Sequence, residues 1–272
     1  MISDDGTVFL SSLGSGSGGN AYVVETSRSA LIIDQGFSCR ELLARMKKLD
    51  IDPGKLCGAL LTHEHTDHSC GSRVFCNKHN LPFYTASKTA LYLKNRKTLP
   101  DLVRVFEPGE EFEADVFRIR SFPTSHDAVD PVGFTIRCNN VKIGFATDLG
   151  VAGENVKREL RHSHTLVLES NYDHQMLMNS DRRLELKRRI FGARGHLANP
   201  DACALMGDIL SEETSLLLLA HVSRECNDHS IVSACCREKL SSMNMNSLKF
   251  EILPQDEPLG KFVIDPSTGR SN

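Results

Sequence analysis

The sequence predicts an α/β (α+β) protein in which helices cover mixed β-sheets. Short apolar runs rich in β-branched residues recur along its 272 residues, and several follow one another before any helical segment. Later runs alternate with segments of helical spacing, whereas a plain doubly wound sheet would alternate throughout. A chain of this length can bury a substantial core, and one domain over residues 1–272 is expected.

The first runs are "TVFL", "AYVVET" and "ALIID", before a helical segment from Arg40 to Leu49. "CGALLT" follows, then a helical segment from Ser87 to Leu93. "VFRIRSF", "VGFTIR", "VKIGFAT" and "TLVLES" are the next strands, with a helix expected from Leu184 to Phe191. Another helix should start near Asn199, which can cap it, with Pro200 at its first position and Asp201 favouring its dipole. "SLLLLAH" and "KFVID" are the last strands, and nothing after Ser241 suggests a site.

Gly14, Gly16 and Gly19 spell G-x-G-x-x-G, with Asp34 twenty residues after the first glycine, as in a dinucleotide-binding fingerprint. That fingerprint needs a helix N-terminus directly after the glycines to receive a pyrophosphate. Here they lead into "NAYVVET", a strand by composition, and ten residues from Gly19 to Ala30 leave no room for a crossover helix. The context excludes a dehydrogenase. What remains is a plain hairpin turn or a flexible loop free to approach a metal rim and its phosphate.

A net charge of −3 does not announce a nucleic-acid binder, so any basic surface must be local. No apolar run approaches the roughly 18 residues of a membrane span. The start lacks the basic and apolar regions of a signal peptide. Nine cysteines, none in C-x-x-C spacing, read as free thiols of a cytoplasmic protein.

The densest chemical signal is "LLTHEHTDHSCG", with His63, His65, Asp67 and His68 within six residues. Imidazoles and carboxylates packed this closely suit zinc, manganese or iron. His63 and His65 at i, i+2 would face opposite sides of a helix, so only a loop can converge them. Elsewhere Asp34, His126, Asp148 and His221 each follow a strand-like run, which would set them along one rim of the sheets. Taken singly, His126 and His221 also suit ordinary hydrogen-bonding roles at strand ends.

"HEHTDH" is the H-x-H-x-D-H signature of the metallo-β-lactamase-fold hydrolases, and the chain resembles that superfamily from about Phe9 to His221. The resemblance implies a four-layer αββα sandwich of two mixed sheets and two divalent metal ions, zinc or manganese. By its pattern His63, His65 and His126 would hold one metal, and Asp67, His68 and His221 the other. Asp148 would bridge them, and Asp34 would orient the histidine loop by hydrogen bonds. Two cations about 3.5–4 Å apart can activate a shared water and stabilise an oxyanion. No cysteine is assigned to metal.

Within that fold, several features point to nucleic acid. "DRRLELKRRIFGARGHLANP" carries Arg182, Arg183, Lys187, Arg188, Arg189 and Arg194, which would grip a phosphate backbone or form a solvated helix face. Substrate contacts are expected from Arg188, Arg189, Arg194 and Asn199. His196, beside the capped helix start, would bind a phosphate oxygen or protonate a leaving oxygen. Asp67 would orient the nucleophile and take its proton.

The stretches "SSLGSGSGGNAYVVE", "LLTHEHTDHSCG", "SHDAVDPVGF", "ATDLG", "LESNYD", "GHLAN" and "LAHVS" together resemble the bacterial WalJ/YycJ branch. That resemblance implies a 5′ to 3′ exonuclease acting on DNA. Alternatives are another phosphodiesterase or ribonuclease of this fold, or a lactone or thioester hydrolase. One departure is "HVSRECND", where Cys226 precedes Asn227 in place of an asparagine pair, which leaves Asn227 a candidate contact.

Overall fold

The computed structural model describes residues 6–264. β1 (Val8–Gly14), β2 (Ala21–Glu25) and β3 (Ala30–Ile33) form an antiparallel meander. α1 (Cys39–Lys48) carries the chain to β4 (Leu56–Leu60), parallel to β3. α2 (Thr66–Ser69) and α3 (Ser72–His79) precede β5 (Phe83–Ala86), and α4 (Ser87–Asn95) precedes β6 (Val103–Phe106). β5 and β6 extend the parallel half of this sheet.

The second sheet repeats that plan. β7 (Glu111–Ala114), β8 (Phe117–Pro123), β9 (Val132–Cys138) and β10 (Val141–Ala146) are antiparallel neighbours. α5 (Glu154–Leu160) leads to β11 (Thr165–Glu169), parallel to β10. α6 (His174–Asn179), α7 (Leu184–Phe191) and α8 (Asn199–Ile209) fill the connection to β12 (Leu216–Ala220). α9 (His229–Ser242) then precedes β13 (Lys249–Ile252), and β14 (Leu259–Ile264) returns to the first sheet beside β1.

Alternation along the strands explains the four layers. Leu216, Leu218 and Ala220 of β12 face the core between the sheets, with Leu10, Ile33, Phe117 and Phe134. Leu217 and Leu219 point the other way, into the layer of α5, α8 and α9 with Leu160, Met206 and Leu240. In the first sheet Ala30 and Ile32 pack against Leu42, Met46 and Phe75 of α1 and α3. Strands covered on both faces must be apolar at successive positions, which is why they read as unbroken runs. Truncating one such leucine, Leu218→Ala, should cost about 2–5 kcal/mol.

All ten apolar runs are strands, with Asp265 of the last lying outside the described residues. β5, β6, β7 and β13 are additional strands of four residues each. β6, β7 and β13 lie at sheet edges, and each has exposed charged residues that hide its strand character in the sequence. Among the described residues no helix is long and apolar enough to cross a membrane.

Candidate metal centre

Strand ends from both sheets meet at one rim. Asp34 follows β3, the histidine loop follows β4, Asp148 lies two residues past β10, and His221 follows β12. Asp34, Asp148 and His221 adopt left-handed backbone conformations, with φ of 58°, 55° and 53°. Outside glycine this region is best tolerated by Asp, Asn and His. Each turn takes the chain off its strand and leaves a polar side chain at the rim.

The histidine loop is held from behind. The Asp34 carboxylate accepts from the Thr62 backbone N–H at 2.8 Å and the Thr62 hydroxyl at 2.9 Å. It also accepts from His68 Nδ1 at 2.7 Å. His63 Nδ1 lies 3.0 Å from the Thr62 hydroxyl, His126 Nδ1 lies 2.9 Å from the Gly195 carbonyl, and His221 Nδ1 lies 2.9 Å from Glu169 Oε1. With Nδ1–H donated backwards, these rings present their Nε2 lone pairs inward.

What the lone pairs face is the test of a metal site. His63 Nε2, His221 Nε2 and Asp148 Oδ2 are buried with no hydrogen-bond partner. Such atoms are costly to leave unsatisfied. Donor atoms of His63, His65 and His126 converge within 4.8 Å, as do those of Asp67, His68 and His221. His63, His68 and Asp148 form a further such group, placing Asp148 between the two triads. The donor set fits a pair of divalent cations of the zinc or manganese kind.

The electrostatics agree. Burial opposes ionisation of Asp148, yet His221 and His68 hold its carboxyl well below the usual carboxylate range. Burial also opposes charge on His221, yet Asp148, Asp67 and Glu169 lift it to about 10. His68 is raised in the same way by Asp148, Asp67 and Asp34. For His63 burial wins, and with the neighbouring imidazoles it keeps that ring neutral. The carboxylates therefore demand positive charge, which the metal-free cluster takes from protons.

Glu169, at the end of β11, is a functional residue the sequence reading missed. Oε1 accepts from His196 Nδ1 at 2.8 Å as well as from His221, and Oε2 accepts the backbone N–H of Leu149 and Leu197. Despite burial, His196 and His221 bring its pKa down to about 2. It ends a strand as Asp34 follows one, so the rule that singled out Asp34 would have found it. Asn20 was missed too: its backbone N–H donates to Asp67 O at 2.8 Å, and its side chain lies 3.0 Å from His68 Nε2.

The glycine loop joins two antiparallel strands and lies against this rim. A Cβ on Gly36 would stand 1.7 Å from Asp67 O and 2.5 Å from Asn20 N, so only glycine lets the two loops touch. Ser17 of the glycine loop lines a cavity of about 170 Å³, together with Asp67, Asp148 and His196. Arg182, just before α7, and Leu186, Arg189 and Ile190 of α7 form its roof.

The remaining expected contacts separate. Arg189 lines the cavity and pairs with Asp127. Arg188 is exposed on α7 and does not line the cavity. Arg194 donates to the carbonyls of His126 at 3.1 Å and Ala128 at 3.4 Å, bracing the His126 loop.

Asn199 departs from its expected role. It is the first residue of α8, the capping position is Ala198, and no side chain caps the helix. The Asn199 amide, 1% exposed, is engaged by Asn227 and Ser170, and its backbone N–H by Tyr172. The Asn199 amide is thus committed to Asn227, beside the Tyr172–Ala198 bridge, and is not open to an anion. Asn227 is likewise committed inside the fold, and Cys226 packs with Tyr172, Leu177 and Ile190.

Residues 14–192 match the family described as the metallo-beta-lactamase superfamily. The exodeoxyribonuclease YycJ of Bacillus anthracis is 34% identical over 220 residues, 80% of this chain and 83% of that protein. The exodeoxyribonuclease WalJ of Streptococcus pneumoniae is 31% identical over 219 residues, 79% and 81% of the two chains. The fold is similar to that of the metallo-beta-lactamase fold protein YhfI from Bacillus subtilis. That match has a TM-score of 0.69 at 17% identity and covers 94% of this chain and 98% of that one. The chain belongs to the metallo-beta-lactamase superfamily, in its WalJ/YycJ-like branch.

Proposed function

We propose that the protein is a metal-dependent exodeoxyribonuclease that removes nucleotides from a 5′ DNA end, with two divalent ions, zinc or manganese, as cofactors. The observation that carries the reading is the match to relatives named exodeoxyribonucleases, which covers about four fifths of the chain. His63, His65 and His126 would hold one cation, Asp67, His68 and His221 the other, and Asp148 both. Bound there, the cations would supply Lewis acidity and a water activated near neutral pH.

The chain's own residues do the rest. Asp67, with His68 and His221 beside it and a quarter of its side chain exposed, orients the attacking oxygen and accepts its proton. His196, fixed by Glu169 through Nδ1, turns its other nitrogen to the cavity and protonates the departing sugar oxygen. Arg189 receives a phosphate oxygen, while Arg183, just before α7, and Arg188, on its open side, follow the backbone. A cytoplasmic location fits nine cysteines that form no disulfide.

The test is degradation of 5′-labelled and 3′-labelled DNA, single and double stranded, with zinc or manganese added. Asp148→Ala, prepared in parallel, controls for contaminating nuclease. Mononucleotide release from the 5′ end by wild type alone is expected. Two bound metals without DNA cleavage would overturn the nuclease reading and turn attention to RNA, small phosphodiesters and then lactones.

A further inference from the structure

Asp127, next to His126 in the connection between β8 and β9, has no place in the ligand pattern above. Its side chain is 27% exposed, yet Oδ1 is buried and has no hydrogen-bond partner. That oxygen lies 3.4 Å from His126 Nε2 and 4.0 Å from His65 Nε2. His126 gives its Nδ1–H to the Gly195 carbonyl, so its Nε2 is an acceptor facing an acceptor. His65 Nδ1, 3.3 Å away, can serve His126 Nε2, which leaves Asp127 Oδ1 as the atom without a donor, and a cation held by the adjacent His63, His65 and His126 would satisfy it. The other oxygen, Oδ2, is held by Arg189 Nε of the roof helix. One carboxylate therefore touches both the floor and the roof of the cavity.

We propose that Asp127 is a latch: Oδ1 belongs to the first cation position, Oδ2 parks Arg189, and loading the cation releases Arg189 for a substrate phosphate. The physical basis is competition for one negative charge. A divalent ion on Oδ1 withdraws charge from Oδ2 and repels the guanidinium beyond it. Other polar ties at α7 are Lys187 Nζ to the Met178 carbonyl at 2.7 Å and, just before the helix, Arg182 to a Glu225 that is 67% exposed, a pair too solvated to hold the helix firmly. Freed from Asp127, Arg189 keeps its place on the cavity wall, now with an unpaired charge where an anion enters. The latch rests on the proposed cation centre, not on DNA as the substrate.

Coupling of this kind is reciprocal, which gives the two partners opposite signatures. Zinc affinity of the full chain would be measured by competition with a chromogenic chelator. Asp127→Asn should weaken the first zinc about 10–100-fold, as loss of a supporting carboxylate does. Arg189→Gln should instead tighten it about fivefold or more, because zinc no longer displaces a cation. Hydrogen exchange of residues 184–191 should quicken on adding zinc to wild type, and be fast with or without zinc in both variants. Both side chains reach solvent, and melting curves would verify that the variants fold. Zinc affinity unchanged or weakened in Arg189→Gln, or zinc-independent exchange in wild type, would overturn the latch alone. Fewer than two zinc ions on wild type would sink the cation centre and the latch together.

Discussion

At the floor of the cavity, His63, His68, Asp148 and His221 are at most 2% exposed, and the three rings are anchored through Nδ1. On the roof, Leu184 and Phe191 are 53% and 63% exposed, and the arginines in and just before α7 make surface ion pairs or none. The floor is built from sheet ends, where the backbone cannot move without breaking strand pairing. The roof is one eight-residue helix fastened by Ile190 and a few solvated charges. Chemistry that needs donor atoms placed to tenths of an ångström sits on the first, and contacts that must yield to a long substrate sit on the second.

The sharpest way to break this contrast is at the floor. Asp148→Ala should remove stable cation binding and all measurable turnover, read by metal content and DNA degradation. A variant that still loads two metals would show that the carboxylate is not shared. One step out, His196→Ala should keep both metals while turnover falls about 10²–10⁴-fold. Loss of metal there would mean that His196 is a ligand. Glu169→Gln affects both, since it leaves two imidazoles without their acceptor: metal affinity should fall about 10–100-fold and turnover with it.

Protonation separates the two regions again. The fold raises His221 from its ordinary 6.5 to about 10 in the metal-free protein, so its charged form is favoured there. That stabilisation is complete below pH 6.5 and is lost as pH rises toward 10. The melting temperature of EDTA-treated protein should therefore fall between pH 6.5 and 8, and zinc should restore it. Zinc binding at pH 7 should release protons, read by calorimetry in buffers of different ionisation enthalpy. Uptake of protons would contradict the charge balance of the floor.

The smallest effect belongs to the roof. Arg188→Glu should raise KM for DNA severalfold with kcat intact, and lower the salt slope of binding by about 1. Turnover of a small chromogenic phosphodiester should not change. A large loss of kcat would place Arg188 in the chemistry instead of the grip.

Much of the floor was legible because its residues obey local rules. The H-x-H-x-D-H stretch is contiguous, and Asp34, His126, Asp148 and His221 follow strand-like runs that any reader of periodicity can mark. Glu169 obeys the same rule, but it lies within the run "TLVLES" and reads there as one more strand residue. Asn199 misled in the opposite direction: Asn-Pro-Asp is a good helix start by local chemistry, yet Asn227 across the fold claims its amide.

By itself the sequence determined ten of the strands, the apolar runs that mark burial on two faces, and the residue types able to hold divalent cations. Those follow from side-chain chemistry and from spacing along one chain. Only the tertiary structure decided which carboxylate each imidazole donates to, since Glu169 serves both His196 and His221 across 27 and 52 residues. It also decided which arginines are spent, placing Arg194 on backbone carbonyls and Arg189 on Asp127 while Arg188 faces solvent. A charge has the same letter in either case. Its partner is set by distance in space, which periodicity along the chain does not encode.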